Sequence, residues 1–328
     1  MRVLITGGAG YIGSHTAKVL SEAGVDVVVL DNLSTGHRWA ARWGEFIEGD
    51  LADARTVRTA LTSVDGVIHF AASAYVGESI INPQRYFQNN VANSLNLLNA
   101  MIESDVRTLV FSSSCATYGV PIQTPILEDH PQNPINPYGE SKKMFERILR
   151  WYENAYGLRW MALRYFNAAG ADPDCEIGEA HNPETHLIPL CIAATVPSSS
   201  PLQIFGTDYD TQDGTAVRDF VHVKDLAAAH ISAITALLDG VVSQPLNLGS
   251  GRGYSVRQII GAVNKASGRS VPVVELGRRE GDPPILVADS AAASRVLGWK
   301  PKLSDIETII DTAVRWHKIA RITEVQFS

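Results

Sequence analysis

Arg2-Val3-Leu4-Ile5-Thr6-Gly7-Gly8-Ala9-Gly10-Tyr11-Ile12-Gly13 is the stretch that decides the fold. Its first half is a short apolar run, as expected of a strand buried on both faces of a parallel sheet. Its second half spaces glycines at 7, 10 and 13. That spacing allows a tight turn, close approach of backbone to a diphosphate, and close packing of helix on strand. The helix expected over residues 11–23 would aim its N-terminal N–H groups at the phosphates. Gly24 ends it, and Val25–Leu30 reads as a second buried strand with Asp31 at its C-terminal end. A carboxylate there, about 20 residues past the glycines, accepts both ribose hydroxyls of NAD and repels a 2′-phosphate. Asn32 and Leu33 follow with no adjacent arginine, and the nearest basic groups are His37 and Arg38. NAD is therefore expected rather than NADP.

Outward from this stretch, strands and helices alternate. Phe46–Gly49 reads as a short strand running into Asp50, and Asp53–Leu61 as a helix. Gly66–Phe70 is a fourth strand ending in Ala71-Ala72, where small side chains let a ligand lie over the sheet. One long helix is expected over residues 83–103, with Asn89 and Asn90 as polar interruptions. Thr108–Ser112 and Leu158–Phe166 complete the strands, and Ser112-Ser113-Ser114 place hydroxyls at the crevice. The pattern predicts an α/β fold, a doubly wound parallel (Rossmann) sheet built on right-handed crossovers.

After Asn167 the texture becomes loop-like. A helix is expected around residues 187–196, a short strand at Leu202–Phe205, and another at residues 217–223 leading into an apolar helix over 224–238. Ser255 with Gln258, and Ser304 with Glu307, read as capping boxes. Arg278-Arg279-Glu280-Gly281-Asp282 is a charged turn. The expected division is a dinucleotide-binding domain over 1–166, with 224–248 returning to it, and a smaller mixed α/β substrate domain over 167–223 and 249–328.

Composition excludes several classes. The chain has 328 residues, 45% hydrophobic and 19% charged, which fits a folded globular protein. A net charge of -7 argues against nucleic acid as a partner. Cys115, Cys175 and Cys191 have no paired spacing, so neither a disulfide framework nor a metal site is expected. No apolar run approaches the ~18 residues of a membrane span, and no signal-peptide pattern opens the chain, so the cytoplasm is the expected compartment.

The chemistry is expected at Tyr138-Gly139-Glu140-Ser141-Lys142. Asn136 reads as an N-cap with Pro137 at the first helical position. Tyr138 and Lys142 then share one face of the helix. A free phenol has a pKa of about 10, and a neighbouring cation favours its ionised form. Such a tyrosine is a plausible general base for a sugar or alcohol hydroxyl. His222 reads as a core histidine, and Cys115, with no basic partner, as a small core residue.

Thr6–Gly13, Phe111-Ser112-Ser113-Ser114, Tyr138 with Lys142, Arg164-Tyr165-Phe166-Asn167, the run Gly214–Val223, and Arg279–Asp282 occur in that order. Together they resemble the UDP-glucose 4-epimerases of the extended short-chain dehydrogenase/reductase superfamily over nearly the whole chain. The resemblance implies interconversion of UDP-glucose and UDP-galactose through a 4-keto sugar on permanently held NAD. It implies that Tyr138, as phenolate, takes the proton of the 4-hydroxyl. Lys142 lowers the phenol pKa and holds the nicotinamide ribose, and Ser114 bridges the 4-oxygen. By matching position, Gly7, Gly10, Tyr11, Ile12, Gly13, Asp31, Asn32, Asp50, Leu51, Phe70, Ala71, Ala72, Asn90, Ser112 and Tyr165 would line the NAD site with Tyr138 and Lys142. Asn167, Leu187, Ile204, Phe205, Arg218, Arg279 and Asp282 would hold the UDP-sugar with Ser114 and Tyr138, the arginines facing the diphosphate. A homodimer through the helices near 83–103 and 138–156 is implied as well.

The chain departs from the family pattern at three places. Ser73-Ala74 stand where many members carry Lys, His186 where many carry Asn, and Leu286 where the bulk of the sugar's 2-substituent is controlled. A UDP-N-acetylhexosamine or UDP-pentose 4-epimerase is therefore the alternative. A 4,6-dehydratase is disfavoured because Cys115-Ala116 follow Ser114 in place of an Asp-Glu pair. A non-catalytic NAD-binding scaffold is disfavoured because both Tyr138 and Lys142 are present.

Overall fold

In the computed structural model, which describes residues 1–197, 199–279 and 281–323, Val3, Leu4 and Ile5 have no solvent exposure. A run buried on both faces can only be a central strand, and it is β1 (Arg2–Thr6). Gly7 turns the chain into α1 (Tyr11–Glu22), followed by β2 (Asp26–Asp31), β3 (Glu45–Glu48), α2 (Ala54–Ala60) and β4 (Gly66–His69). Next come α3 (Val76–Ile81), α4 (Pro83–Phe87), α5 (Ser94–Glu103), β5 (Thr108–Ser114), α6 (Pro137–Tyr156) and β6 (Arg159–Tyr165).

The expected single helix over 83–103 is in fact α4, a π-helical turn at Gln88–Asn93, and α5. Asn82 caps α4, accepting from Arg85 N, and Pro83 takes its first position. The widened turn directs Asn90 inward rather than to solvent. Its amide donates to Ser73 O and Ser141 Oγ, both at 3.0 Å. A buried amide so satisfied offsets the poorer hydrogen-bond geometry of the turn.

The remaining elements are β7 (Asn167–Ala169), α7 (Leu187–Ala194), β8 (Leu202–Phe205), β9 (Val217–His222), α8 (Val223–Leu238), β10 (Gln244–Leu248), β11 (Gly253–Ser255), α9 (Val256–Ser267), β12 (Val273–Leu276), β13 (Ile285–Leu286), α10 (Ala291–Leu297) and α11 (Ile306–Thr323). One parallel sheet runs in the order β3-β2-β1-β4-β5-β6-β10. The order reverses between β1 and β4, and the crevice at the carboxyl ends of those strands is where such sheets bind ligands. Apolar side chains of α1 and α8 cover one face, and those of α2, α5 and α6 cover the other. A third apolar cluster joins α7, α9 and α11 with Leu202 of β8 and Phe220 of β9.

Ser255 and Gln258 form the expected capping box on α9. The box expected at Ser304 and Glu307 does not form. Ser304 Oγ donates instead to Asp225 Oδ2 at 2.6 Å and accepts from His222 N at 2.9 Å. Asp305 takes over at the helix start, accepting from Thr308 N at 2.8 Å. The hydroxyl's buried partners outcompete the local cap.

Candidate active site

The glycine cradle comes first in chain order. Gly7 has φ +72°, and a Cβ there would lie 2.5 Å from Ala71 N. A Cβ on Gly13 would lie 2.2 Å from Gly7 O. Both positions are closed to any side chain, so the turn packs directly on the residues that follow β4 and α1 packs directly on the turn. α1 starts at Gly10 without a side-chain cap, leaving its first N–H groups for an anion. Asp31 accepts from Ala9 N at 3.0 Å and Leu33 N at 2.8 Å, which fixes its carboxylate beside the cradle while burial raises its pKa. Asn32 donates to Asp50 Oδ2 at 2.6 Å, and Leu51 is buried next to it. Across the switch point, Phe70 N and Ala71 N donate to Thr6 O at 2.9 and 3.0 Å. The Phe70 ring lies 4.5 Å from that of His230. Ile12 packs on the α1 face of the sheet, and Tyr11 donates to Gly170 O at 2.6 Å. This set suits a dinucleotide with free ribose hydroxyls.

A second cluster stands at the carboxyl end of β5. Asn136 accepts from Gly139 N at 2.8 Å, and Pro137 opens α6. A Cβ on Gly139 would come within 2.4 Å of Ala116 O, so the helix start is pressed onto the turn that follows Ser114. Tyr138 is thereby brought beside Ser114, whose hydroxyl favours the ionised phenol. Ser114 Oγ also accepts from Ala116 N at 3.1 Å. Lys142 Nζ donates to Ser112 O at 2.8 Å and lies 5.8 Å from the Tyr138 ring centroid. The Ser112 hydroxyl in turn pairs with that of Tyr165, its neighbour strand's last residue.

The site is dry, and this sets its electrostatics. Tyr138 is 8% exposed and Lys142 3%. Burial pushes the phenol well above its ordinary pKa, opposed by the neighbouring Ser114 hydroxyl. Burial pulls the Lys142 amine down to about 7, opposed by the Glu146 carboxylate. Each group is thus poised against being charged alone. A positive charge arriving beside the phenol would favour its ionised form.

Glu146, which sequence reasoning passed over, braces the cluster. Arg164 Nε and Nη2 donate to its two carboxylate oxygens at 2.9 and 2.6 Å, and Ser113 Oγ donates at 2.6 Å. Both ion-pair partners are at most 1% exposed. This pair locks α6 to β6. Its signal was present: Glu146 lies one helical turn past Lys142 on the same face.

The substrate-side residues gather elsewhere. Arg279 stacks over Phe205 at 3.7 Å, and Arg218 pairs with Asp282. Arg279 and Asp282 line an open cleft of about 800 Å³. Ile204 is buried beneath Phe205 on β8, Asn167 pairs with Phe220 across β7 and β9, and Leu187 is the first residue of α7. Asp219 is wholly buried and accepts from Ser250, Gly251 and Ala288 N–H groups. His222 is buried and bonds Thr312 Oγ1 at 3.2 Å. The Cys115 thiol is pushed up to about 12 by burial, which the Arg218 charge only partly opposes. Glu280 lies outside the described residues.

Residues 3–249 match the model of the NAD dependent epimerase/dehydratase family. The UDP-glucose 4-epimerase of Halalkalibacterium halodurans is 48% identical over 320 residues, covering 97% of this chain and 96% of that protein. The crystal structure of UDP-glucose 4-epimerase from Brucella ovis in complex with NAD superposes with a TM-score of 0.94 at 51% identity, covering 96% and 97% of the two chains. That of the Bifidobacterium longum enzyme in complex with NAD+ and UDP gives 0.91 at 35% identity, over 98% and 99%.

Proposed function

We propose a reaction from one premise: the chain belongs to the NAD dependent epimerase/dehydratase family, among its UDP-glucose 4-epimerases. The reaction is inversion of carbon 4 of a UDP-hexose, interconverting UDP-glucose and UDP-galactose. The observation that carries it is the buried cluster of Tyr138, Ser114 and Lys142, with Lys142 tied to Ser112 O at the carboxyl end of β5. Tyr138 takes the proton of the sugar 4-hydroxyl, and Ser114 relays it. NAD, when bound, supplies a positive ring and the acceptor that takes the carbon-4 hydride and gives it back. Gly7, Gly10 and Gly13 receive its diphosphate, and Asp31 its ribose hydroxyls. Lys142 holds the second ribose. Arg218 and Arg279 keep the UDP diphosphate fixed while the 4-keto sugar turns over between them and Tyr138. Binding energy from this remote handle positions the reacting carbon.

The same reading divides the chain at Asn167, with 224–248 returning to the dinucleotide-binding part. That β10 extends the parallel sheet beside β6 supports the division. It also assigns a homodimer in the cytoplasm. Exposed Ile80, Ile81, Trp151 and Tyr156 on α3 and α6 favour self-association there. Among the described residues no helix is long and apolar enough to cross a membrane.

Leu286 favours one second reading. It is half-buried on β13 against Tyr118, Ile126, Phe166 and Ala288, and its position is the one that, by resemblance, controls the bulk allowed at the sugar's 2-position. UDP-N-acetylhexosamines and UDP-pentoses are the alternative substrates. The test is conversion of UDP-galactose to UDP-glucose by the purified protein without added NAD, run beside UDP-N-acetylgalactosamine and UDP-arabinose. NAD, not NADP, is expected in the denatured extract. Absence of any 4-epimer, or release of NADP, overturns the reading.

A further inference from the structure

Glu179, His181, Glu184 and His186, on the loop between β7 and α7, turn one donor atom each toward a common point. These atoms all lie within 4.8 Å of one another. His186 Nδ1 is 2.7 Å from Glu179 Oε1 and 3.1 Å from Glu184 Oε1. His181 Nδ1 is 3.0 Å from Glu179 Oε1 and 3.9 Å from Glu184 Oε2. Bonds of about 2.0–2.1 Å in tetrahedral array put zinc donors about 3.3 Å apart. The observed separations straddle that value.

We propose that these four side chains form a structural site for a divalent cation, Zn2+ in the first instance. Two imidazoles and two carboxylates, with no thiolate, suit zinc or a first-row neighbour better than calcium or copper(I). The two carboxylates neutralise a dication. One ion at the centre satisfies all four groups at once, whereas the bare cluster crowds both imidazoles onto a single oxygen of Glu179. Glu179 is only 5% exposed, and a carboxylate so buried must be paired, by the two imidazoles in the bare cluster or by a metal ion shared with them.

The frame around the cluster is already fixed. The His181 ring is held edge-on by Tyr11 at 6.1 Å and Tyr75 at 6.0 Å. Trp316 Nε1 donates to Glu179 O at 2.9 Å, and Ala180 O meets His37 Nε2 at 2.6 Å. None of the four ligands belongs to the Tyr138 cluster, so the ion has no part in proton or hydride transfer. Its place is between Tyr11, at the start of the phosphate-facing helix, and Leu187, which follows His186 into α7. It would fasten the loop that joins the dinucleotide cradle to the substrate-binding part.

The test is metal content of the NAD-loaded, untagged protein by mass spectrometry, after dialysis against EDTA and then against micromolar Zn2+. About one zinc per chain is expected, with a thermal midpoint higher than in the EDTA-treated protein. The variant His181→Ala/His186→Ala should retain no zinc, and Glu184→Gln should bind roughly tenfold more weakly. If the double variant is unfolded by circular dichroism, Glu184→Gln with competing chelator decides. A folded wild-type protein that takes up no zinc overturns the proposal. So do variants that bind it as tightly as the wild type.

Discussion

Lys142 Nζ donates to the carbonyl oxygen of Ser112 across 2.8 Å, which ties the amine to the strand that ends in Ser114. The amine is therefore held in a dry site by a neutral acceptor, and burial brings its pKa from 10.5 to about 7. The consequence for stability has a definite sign. Above about pH 10.5 neither folded nor unfolded protein carries this proton. Between 10.5 and 7 only the unfolded state does, so stability falls as pH falls through that window and levels off below it. The slope for protein freed of dinucleotide is at most about 1.4 kcal/mol per pH unit. Urea unfolding at a series of pH values should show this slope in the wild type and a flatter curve in Lys142→Met.

The Glu146–Arg164 pair makes a second prediction. Removing one partner leaves the other charged and buried, which costs about 3–5 kcal/mol. Glu146→Ala should therefore lower the urea midpoint strongly. The double replacement Glu146→Leu with Arg164→Met should cost less than Glu146→Ala alone. Equal losses in the single and double variants would show that the pair is not the brace between α6 and β6.

Two glycines separate close approach from mere flexibility. A Cβ at Gly13 meets Gly7 O at 2.2 Å, whereas one at Gly261 of α9 meets nothing within 4 Å. Gly13→Ala should lose copurifying NAD and several degrees of thermal midpoint. Gly261→Ala, on an exposed helical face, should gain about 0.5–1 kcal/mol. Absorbance of the extracted dinucleotide and a thermal melt read both outcomes.

Much of the fold could be read because its strands are unusually explicit. Val3-Leu4-Ile5 and Val27–Leu30 are continuous apolar runs, and only strands covered on both faces need such runs. The glycines at 7 and 13 were legible for a related reason: each excludes any side chain, so each is a backbone contact written into the sequence. What stayed hidden depended on partners far along the chain. Asn90 looks polar and exposed on a helical wheel, yet Ser73 and Ser141 satisfy it inside the π-helical turn. Ser304 looks like a cap, yet Asp225 claims its hydroxyl. The two-residue strand β13 and three-residue β11 are too short for any periodicity. Glu179, His181, Glu184 and His186 follow neither helical nor zinc-finger spacing, and only the loop's path brings them together.

The central claim is that the phenol of residue 138 moves the proton. Steady-state rates of Tyr138→Phe with UDP-galactose, beside calorimetric binding of UDP to the same protein, test it most directly. A drop in kcat of about 10²–10⁴ with UDP affinity and NAD content unchanged is the predicted result. A variant that epimerises at the wild-type rate would contradict the assignment, whatever else the site retains.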